Sequence, residues 1–354
     1  MRNSQQPYQD LERIIEFDFL RATEAAALNT LPWIGRGEKE KADAAACDAI
    51  RGMFDLMNIC GEVVIGEGIK DNAPGIFKGE HLGTWTPGSH KFDLAFDPID
   101  GTTNVAKGLP GSISCLAAAS PEAGVDGSLQ DIPSFYMMKL AYGVKVVRYM
   151  QRTGIEIVSI HNPIEELIPI IAKALRKRIR DVTVVVLDRP RHARLVETIR
   201  STGAVVRMIS DGDITAAIAP SIPKSEVDLY VGIGGAPETV LAAAAIRCLG
   251  GDIQAMMWPR DDEERQRLID DGYKDHLNHV FYAGDLAKGN NIIFCATGVS
   301  DTPLLLGVRV RGHTVVTHSI LMRARSKTVR IIEAYHDFTQ KTVHLRSTKA
   351  ETPI

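Results

Sequence analysis

The residue types most able to do chemistry lie in five short segments. At positions 97–102 the run Asp-Pro-Ile-Asp-Gly-Thr follows an apolar stretch that alternates as a strand from Lys91. Proline cannot donate to a ladder, so the strand is expected to stop at Pro98 and to present Asp97 at its exposed end. Asp97 and Asp100 then point into one space. Gly101, Thr102 and Thr103 open the next element, where free backbone N–H groups favour an oxyanion or a phosphate. Two carboxylates beside such a turn call for a cation between them and the anion. Oxygen-only ligands select hard cations such as Mg²⁺ or Mn²⁺. The plainer alternative is a polar turn whose aspartates cap a helix.

Four more segments carry weaker signals. Glu67, flanked by glycines in Ile-Gly-Glu-Gly at 65–68 and followed by Asp71, is either free to reach a metal or part of a surface turn. Lys39 and Asp43 stand four residues apart on one helical face, the spacing of a solvated i,i+4 pair. Gly-Ile-Gly-Gly-Ala-Pro-Glu at 232–238 places a glycine loop between a strand and a helix, which suits phosphate. It is no dinucleotide fingerprint, because Pro237 stands where the third glycine would be. Glu238 either complements the helix dipole or ligates a metal. In Asp-Arg-Pro-Arg-His at 188–192, Arg189 and Arg191 form a phosphate clamp, since a planar guanidinium makes two parallel hydrogen bonds, or a solvated basic helix start. His192 by itself reads as structural.

These segments need elements to hold them. Residues 9–29 read as a helix, with Leu11, Ile14, Ile15, Phe19 and Leu20 near a 3.6-residue period. Residues 35–58 read as a turn at Gly35 and Gly37 and then a second helix, with Ile50, Met53, Phe54 and Met57 as its apolar face. Residues 63–68 form a short strand running into a glycine turn, and 69–90 turns with a hairpin. From 181 onward the pattern is strand, polar loop, helix, repeated at 181–192, 203–213 and 227–249. Such β-loop-α units imply a mostly parallel, covered sheet with ligands beyond the carboxyl ends of its strands. Those ends carry residues 188–192, Asp211-Gly212-Asp213 and 232–238. Two domains are expected, 1–165 and 166–354, with the C-terminal segment able to return to the first.

Composition narrows the function. In 354 residues, 45% are hydrophobic, enough for a sizeable core. Lysine and arginine number 41 against 44 acidic residues, a formal charge of −3, so no basic excess points to nucleic acid. Five widely spaced cysteines without a Cys-x-x-Cys argue against a disulfide framework or a zinc knuckle. The N-terminus lacks the apolar core of a secretory signal, and no apolar run approaches the ~20 residues that span a bilayer. A soluble, cytoplasmic protein without membrane or nucleic-acid partners is expected.

Taken in order, Gly-Arg-Gly-Glu-Lys-Glu-Lys-Ala-Asp at 35–43, Val-Val-Ile-Gly-Glu-Gly at 63–68, and the segments at 97–102, 188–192, 210–213 and 232–238 resemble one family. It is the class II fructose-1,6-bisphosphatases, including the cyanobacterial type that also hydrolyses sedoheptulose-1,7-bisphosphate. Late segments at 291–298 and 324–330 are similar too, so the resemblance covers about residues 20–346. It implies an α/β fold, a layered α/β/α/β/α sandwich of the metal-dependent, lithium-sensitive sugar phosphatase type. It implies metal ligation by Asp43, Glu67, Asp97, Asp100 and Glu238, with Mg²⁺ or Mn²⁺ as cofactor. Substrate contacts are implied for Asp100, Gly101, Thr102, Tyr136, Arg189, Pro190, Arg191, Asp211, Gly212, Asp213 and Gly235. Lys39, Asp71 and Thr102 are implied to lie closest to the chemistry.

The activity implied is hydrolysis of the 1-phosphate of a small-molecule sugar bisphosphate, in a homodimer or homotetramer. The chain departs from the family where Asp100 replaces the frequent glutamate, and where Ile69, Lys70 and Asn72 replace acidic residues. The competing readings are an inositol or other sugar monophosphatase, a nucleotide-binding oxidoreductase using the 232–237 loop, and a non-catalytic sugar-phosphate sensor.

Overall fold

The computed structural model describes residues 11–66, 75–122, 127–154, 157–223 and 225–353. The chain opens with helices α1 (Leu11–Thr30) and α2 (Lys39–Asp55), then strands β1 (Ile59–Ile65), β2 (His81–Leu82) and β3 (His90–Asp100), the short helix α3 (Thr102–Lys107) and β4 (Ile113–Ala119). Next come β5 (Tyr136–Tyr142), α4 (Val144–Thr153), α5 (Ile164–Leu175), β6 (Thr183–Leu187), α6 (Ala193–Ser201), β7 (Val205–Ile209) and α7 (Asp213–Ile218). They are followed by β8 (Leu229–Gly235), α8 (Ala236–Leu249), β9 (Asp252–Trp258), α9 (Asp262–Asp270), β10 (Phe281–Tyr282) and α10 (Ala283–Leu286). The chain closes with β11 (Ile292–Gly298), β12 (Arg309–Arg311), β13 (Thr314–Arg323), β14 (Thr328–Asp337), and the hairpin of β15 (Thr342–Leu345) and β16 (Ala350–Pro353).

Two mixed sheets organise these elements. In the first, β2, β1, β3, β4, β11 and β13 lie in that order, and β13 also carries β12 and β14. In the second the order is β10-β9-β5-β8-β6-β7. The expectation of a mostly parallel sheet is corrected here. Strands β6, β7 and β8 do run parallel, but β5 inserts antiparallel between β8 and β9. The β-loop-α repeat was legible because it is local; the strand from far upstream that joins it was not.

Three apolar clusters hold the layers together. Ile15, Phe19 and Leu20 of α1 and Ile50 and Phe54 of α2 pack on one face of the first sheet, against Phe92, Leu94 and Phe96. The alanine-rich α8 and the short α7 lie between the sheets, touching Ala95, Cys115 and Ala117 on one side and Met137 and Tyr230 on the other. Alanine suits α8 because both flanks are sheet, leaving no room for long side chains. On the outer face of the second sheet, Leu167, Ile168 and Ile171 of α5 and Val196 and Ile199 of α6 cover Leu140, Val184 and Val186. All five cysteines are free, and four are buried in these layers.

Strand β3 corrects a second expectation. It does not stop at Pro98 but runs to Asp100, and Asp97 is buried rather than exposed. Pairing with β4 shifts register between Asp97 and Asp100, so Pro98 sits in a bulge where no ladder donor is needed.

Docking of the C-terminal hairpin yields a test. Gly52 lies in α2, where alanine would ordinarily gain about 1 kcal/mol. A Cβ there would stand 2.0 Å from the His344 carbonyl oxygen, a backbone atom that the hairpin cannot yield freely. The hairpin is also held by Arg346, which pairs with Asp55 at 2.5 Å and Glu80 at 3.1 Å. Gly52→Ala is therefore expected to destabilise by about 1–3 kcal/mol, against its helix propensity. Chemical denaturation measures it, and a stabilised variant would contradict this packing.

Candidate active site

Where the two sheets meet, a cleft of about 810 Å³ opens. The carboxyl ends of β6, β7, β8 and β9 and the amino end of β5 converge there. Tyr136 is in register with Gly235 on one side and Trp258 on the other. From the first sheet, Asp100 at the end of β3 reaches across, and its Oδ2 accepts the Ile214 N–H at 3.1 Å. Of the residues singled out by sequence, Asp100, Tyr136, Arg189, Arg191, Asp211, Gly212, Asp213, Gly235 and Glu238 line this cleft together. Lys39, Asp43, Asp97, Gly101, Thr102 and Pro190 do not form its wall. Glu67 and Asp71 lie outside the described residues, although Gly66 is on the rim.

The residues off the wall are nonetheless tied to it. Lys39 is exposed at the start of α2, and Asp43 stands one turn further on. The turn before α2 is pinned to α3, with Gly35 N–H donating to Val105 O at 2.8 Å and Gly37 N–H to Ala106 O at 2.9 Å. Gly101 caps α3 with φ of 91°, a left-handed value that glycine adopts without cost. Thr102 is thus the first helical residue. The N-cap position belongs to Gly101.

Electrostatically the site is a crowd of buried acids. Asp100 is held well above the ordinary carboxylate range, first by burial and then by Asp213, Glu238 and Asp211. Burial and then Asp213 also raise Glu238, while Lys139 pulls it back. Asp43 is raised to about 6 by burial, against a smaller opposing effect of Lys39. One counter-charge is built in. Lys139, 1% exposed, lies 2.7 Å from Asp213 Oδ2, which also accepts the Tyr230 hydroxyl at 2.9 Å. The glycines of 232–238 make room for these acids. A Cβ on Gly234 would stand 1.9 Å from Asp213 Oδ2, and one on Gly235 would stand 1.9 Å from Glu238 Oε2.

The arginine side is equally specific. Arg189 donates to Ser210 O at 2.5 Å, Asp188 O at 3.1 Å and Asp211 Oδ1 at 3.2 Å. Arg191 donates to Ile233 O at 2.7 Å and lies over the Tyr136 ring at 4.9 Å. His192 is structural, as its type suggested. Its Nδ1–H donates to Leu187 O at 2.7 Å, and its Nε2 accepts the Ile233 N–H at 2.8 Å, which fixes a neutral tautomer.

Several residues in or beneath the cleft escaped the sequence. Lys139, buried beneath it, carried a signal, a lone charge in the apolar strand Tyr-Met-Met-Lys-Leu-Ala-Tyr. Phe135, Arg260, Glu264 and Arg267 carried none, because each is an ordinary rim or helix residue until the strands are placed.

The acids suit a hard divalent cation in donor type and charge. Asp43 Oδ1 and Glu238 Oε2 are buried without a hydrogen-bond partner, the condition a cation relieves. Among the described residues, no three acid, histidine or cysteine side chains come close enough to hold an ion by themselves. The expected ligand Glu67 lies beyond that set.

A cleft walled by carboxylates and arginines suits a phosphorylated ligand met together with a cation. The comparisons carry this further. Residues 13–336 match the family described as bacterial fructose-1,6-bisphosphatase, glpX-encoded. A Haemophilus influenzae protein named fructose-1,6-bisphosphatase class 2 is 39% identical over 339 residues, 92% of this chain and 97% of its own. Fructose-1,6-bisphosphatase 1 class 2 of Escherichia coli K12 is 35% identical over 342 residues, 94% and 97% of the two chains. The chain belongs to the class II, glpX-type fructose-1,6-bisphosphatase family, whose members are generally metal-dependent. No helix among the described residues is long and apolar enough to cross a membrane.

The raised carboxyl of Asp43 gives a signed expectation. Its folded value of about 6 exceeds the ordinary 3.8, so the folded state holds the extra proton between these values. Stability is therefore lost as pH rises from about 4 to 6 and is level above. In chelator, Asp43→Asn should match wild type near pH 4 and exceed it by on the order of 1–3 kcal/mol at pH 7. Added Mn²⁺ should close that gap by stabilising wild type alone. Denaturation at several pH values measures both, and a pH-independent difference would remove Asp43 from the buried acids.

Proposed function

We propose that this protein hydrolyses the 1-phosphate of fructose-1,6-bisphosphate, releasing fructose-6-phosphate and inorganic phosphate. The observation that supports this best is the single cleft lined both by Asp100, Asp213 and Glu238 and by Arg189 and Arg191. The order helices, sheet, helices, sheet, helices supports the lithium-sensitive sugar phosphatase type of fold. In this reading residues 1–165 supply most of the metal-binding acids, and 166–354 supply the sugar-phosphate contacts. The one-carbon-longer sedoheptulose-1,7-bisphosphate is a second substrate, and the active form is a homodimer or homotetramer.

Asp43, Glu67, Asp97, Asp100 and Glu238 would hold Mg²⁺ or Mn²⁺, which when bound neutralises phosphoryl charge and stabilises the leaving oxygen. Lys39 adds positive charge toward the phosphoryl oxygens. Thr102 orients the attacking water through its hydroxyl, and Asp71 or Glu67 takes the proton. Arg191, stacked on Tyr136, holds the phosphate that is kept, with Arg189 beside it. Asp211, Gly212, Asp213, Gly235 and the 100–102 turn enclose the sugar, so that attack is in line.

Phosphate release should depend on Mg²⁺ or Mn²⁺, vanish with chelator and fall to background in Asp97→Asn. A panel of fructose and sedoheptulose bisphosphates, inositol monophosphate and a sugar monophosphate separates the readings. Preference for inositol monophosphate would overturn the assignment, and equal turnover with chelator would remove the metals. Arg191→Ala should raise KM for the bisphosphate far more than for fructose 1-phosphate, which lacks the second phosphate.

Thr102 offers a sharper test, because Gly101 already caps α3. Thr102→Ala should lower kcat by about 10²–10⁴-fold with little change in KM, while Thr102→Ser keeps most of the activity. Its melting temperature should stay near that of wild type. Near-normal kcat would show that the hydroxyl does not serve the water.

A further inference from the structure

The cleft has one end that the chemistry above does not use. Glu264, in the first turn of α9, is 3% exposed although it lines the cleft. Its Oε1 accepts the Phe135 N–H at 2.7 Å, and its Oε2 accepts the Arg260 N–H at 2.9 Å and the Arg260 Nε–H at 3.1 Å. Arg267 approaches Oε1 at 3.6 Å and donates to Pro133 O at 3.1 Å. Burial pushes this carboxyl up, but the hydrogen bonds from Arg260 and Phe135 outweigh it and hold Glu264 below the usual range. One buried charge thus fixes two segments distant in sequence, the lead into β5 and the loop after β9.

From Glu264 a stack runs along the wall. The Arg260 guanidinium lies over the Phe135 ring at 4.4 Å, and Phe135 meets Tyr136 edge to face with centroids 4.8 Å apart. Tyr136 in turn lies under Arg191 at 4.9 Å. Cation, ring, ring and cation follow one another, and all four line the cleft. Phe135 is 52% exposed, a large apolar side chain left on a rim whose use is to carry Arg260. Arg189, by contrast, already gives three hydrogen bonds to the protein, to Ser210, Asp188 and Asp211. Arg260 keeps 48% of its side chain exposed, with Nε toward Glu264 and the guanidinium on the cleft.

We propose that Arg260 is a further arginine of the clamp on the phosphate that is not hydrolysed, joining Arg191 and Arg189, and that Glu264 is its positioning residue. The inference rests on the bisphosphatase reading and deepens it. A phosphate dianion is held best by forked donors from more than one side, and Arg191 and Arg260 line the same cleft from the ends of different strands. Glu264 acts through Arg260 and the Phe135 backbone and does not touch the substrate.

Steady-state kinetics of the metal-loaded enzyme on fructose-1,6-bisphosphate and fructose 1-phosphate test this. Arg260→Gln should raise KM for the bisphosphate by about tenfold or more, the scale of one charge-assisted hydrogen bond, with kcat within about threefold. The fall in kcat/KM should be at least about tenfold larger on the bisphosphate than on fructose 1-phosphate. Arg260→Lys should recover only part of the loss, because an ammonium lacks the fork. Glu264→Gln should show the same selective rise in KM, to a smaller degree. Thermal protection by fructose-6-phosphate, which retains that phosphate, should shrink in Arg260→Gln, a readout independent of turnover. Equal losses on both substrates, or an unchanged KM and undiminished protection, would overturn the proposal. A wild-type enzyme that releases no phosphate from the bisphosphate would instead overturn the functional reading on which it rests.

Discussion

Like charges buried together are the constraint around which this structure is arranged. Asp100, Asp211, Asp213 and Glu238 meet where the two sheets approach, and beyond burial their mutual charge raises the cost of ionising Asp100 and Glu238. Such a cluster persists only if something offsets it. Lys139 and Tyr230 do so for Asp213, and Arg189 does so for Asp211. Asp43 Oδ1 and Glu238 Oε2 stay buried without a hydrogen-bond partner. The glycines after β8 follow from the same constraint, since any side chain there would collide with the acids it borders.

Assembling that cluster requires the topology to be non-local. Strand β3 brings Asp100 from the first sheet, and α7 brings Asp213 and the Ile214 N–H from the second. Strand β5 supplies Lys139 from its middle and Tyr136 from its amino end, although it precedes the β-loop-α repeat by some forty residues. Its antiparallel insertion places Tyr136 beside Gly235 and Trp258, so one strand serves both the buried acids and the open cleft. Helices α1 and α2 do not form the wall of the cleft. They cover one face of the first sheet and set the positions of Lys39 and Asp43 through the contact between the 35–37 turn and α3.

The division of labour within the cleft follows from burial. Acids on the first sheet and on α7 and α8 are enclosed, where a charge acts strongly and is costly to leave unpaired. Arginines sit on loops at the carboxyl ends of β6 and β9, half exposed, where they can meet a charged ligand and still rest on aromatic rings. Glu264 is the exception that links the two regimes, a buried acid whose partners face the cleft.

By itself the sequence determined whatever depends on neighbours in the chain. The helix at 11–30, the second helix with its buried Ile50 and Phe54, the strands near 183, 205 and 229, and the polar residues at their ends all follow from local period and turn chemistry. The segments at 97–102, 188–192, 211–213 and 232–238 were visible because acids, arginines and glycines cluster there against apolar flanks. Tertiary structure alone decided the rest. Pro98 remains within a strand because a bulge against β4 removes the need for its N–H, and that partner lies across a turn and a helix. Strand β5 pairs antiparallel because sheet order depends on packing with α7 and α8, which no short window encodes. Lys139 became a counter-charge, and Arg260, Glu264 and Phe135 became the wall of a cleft, only once strands distant in sequence lay side by side. Electrostatic partners are set by distance in space, and residue types along a chain carry no measure of that distance.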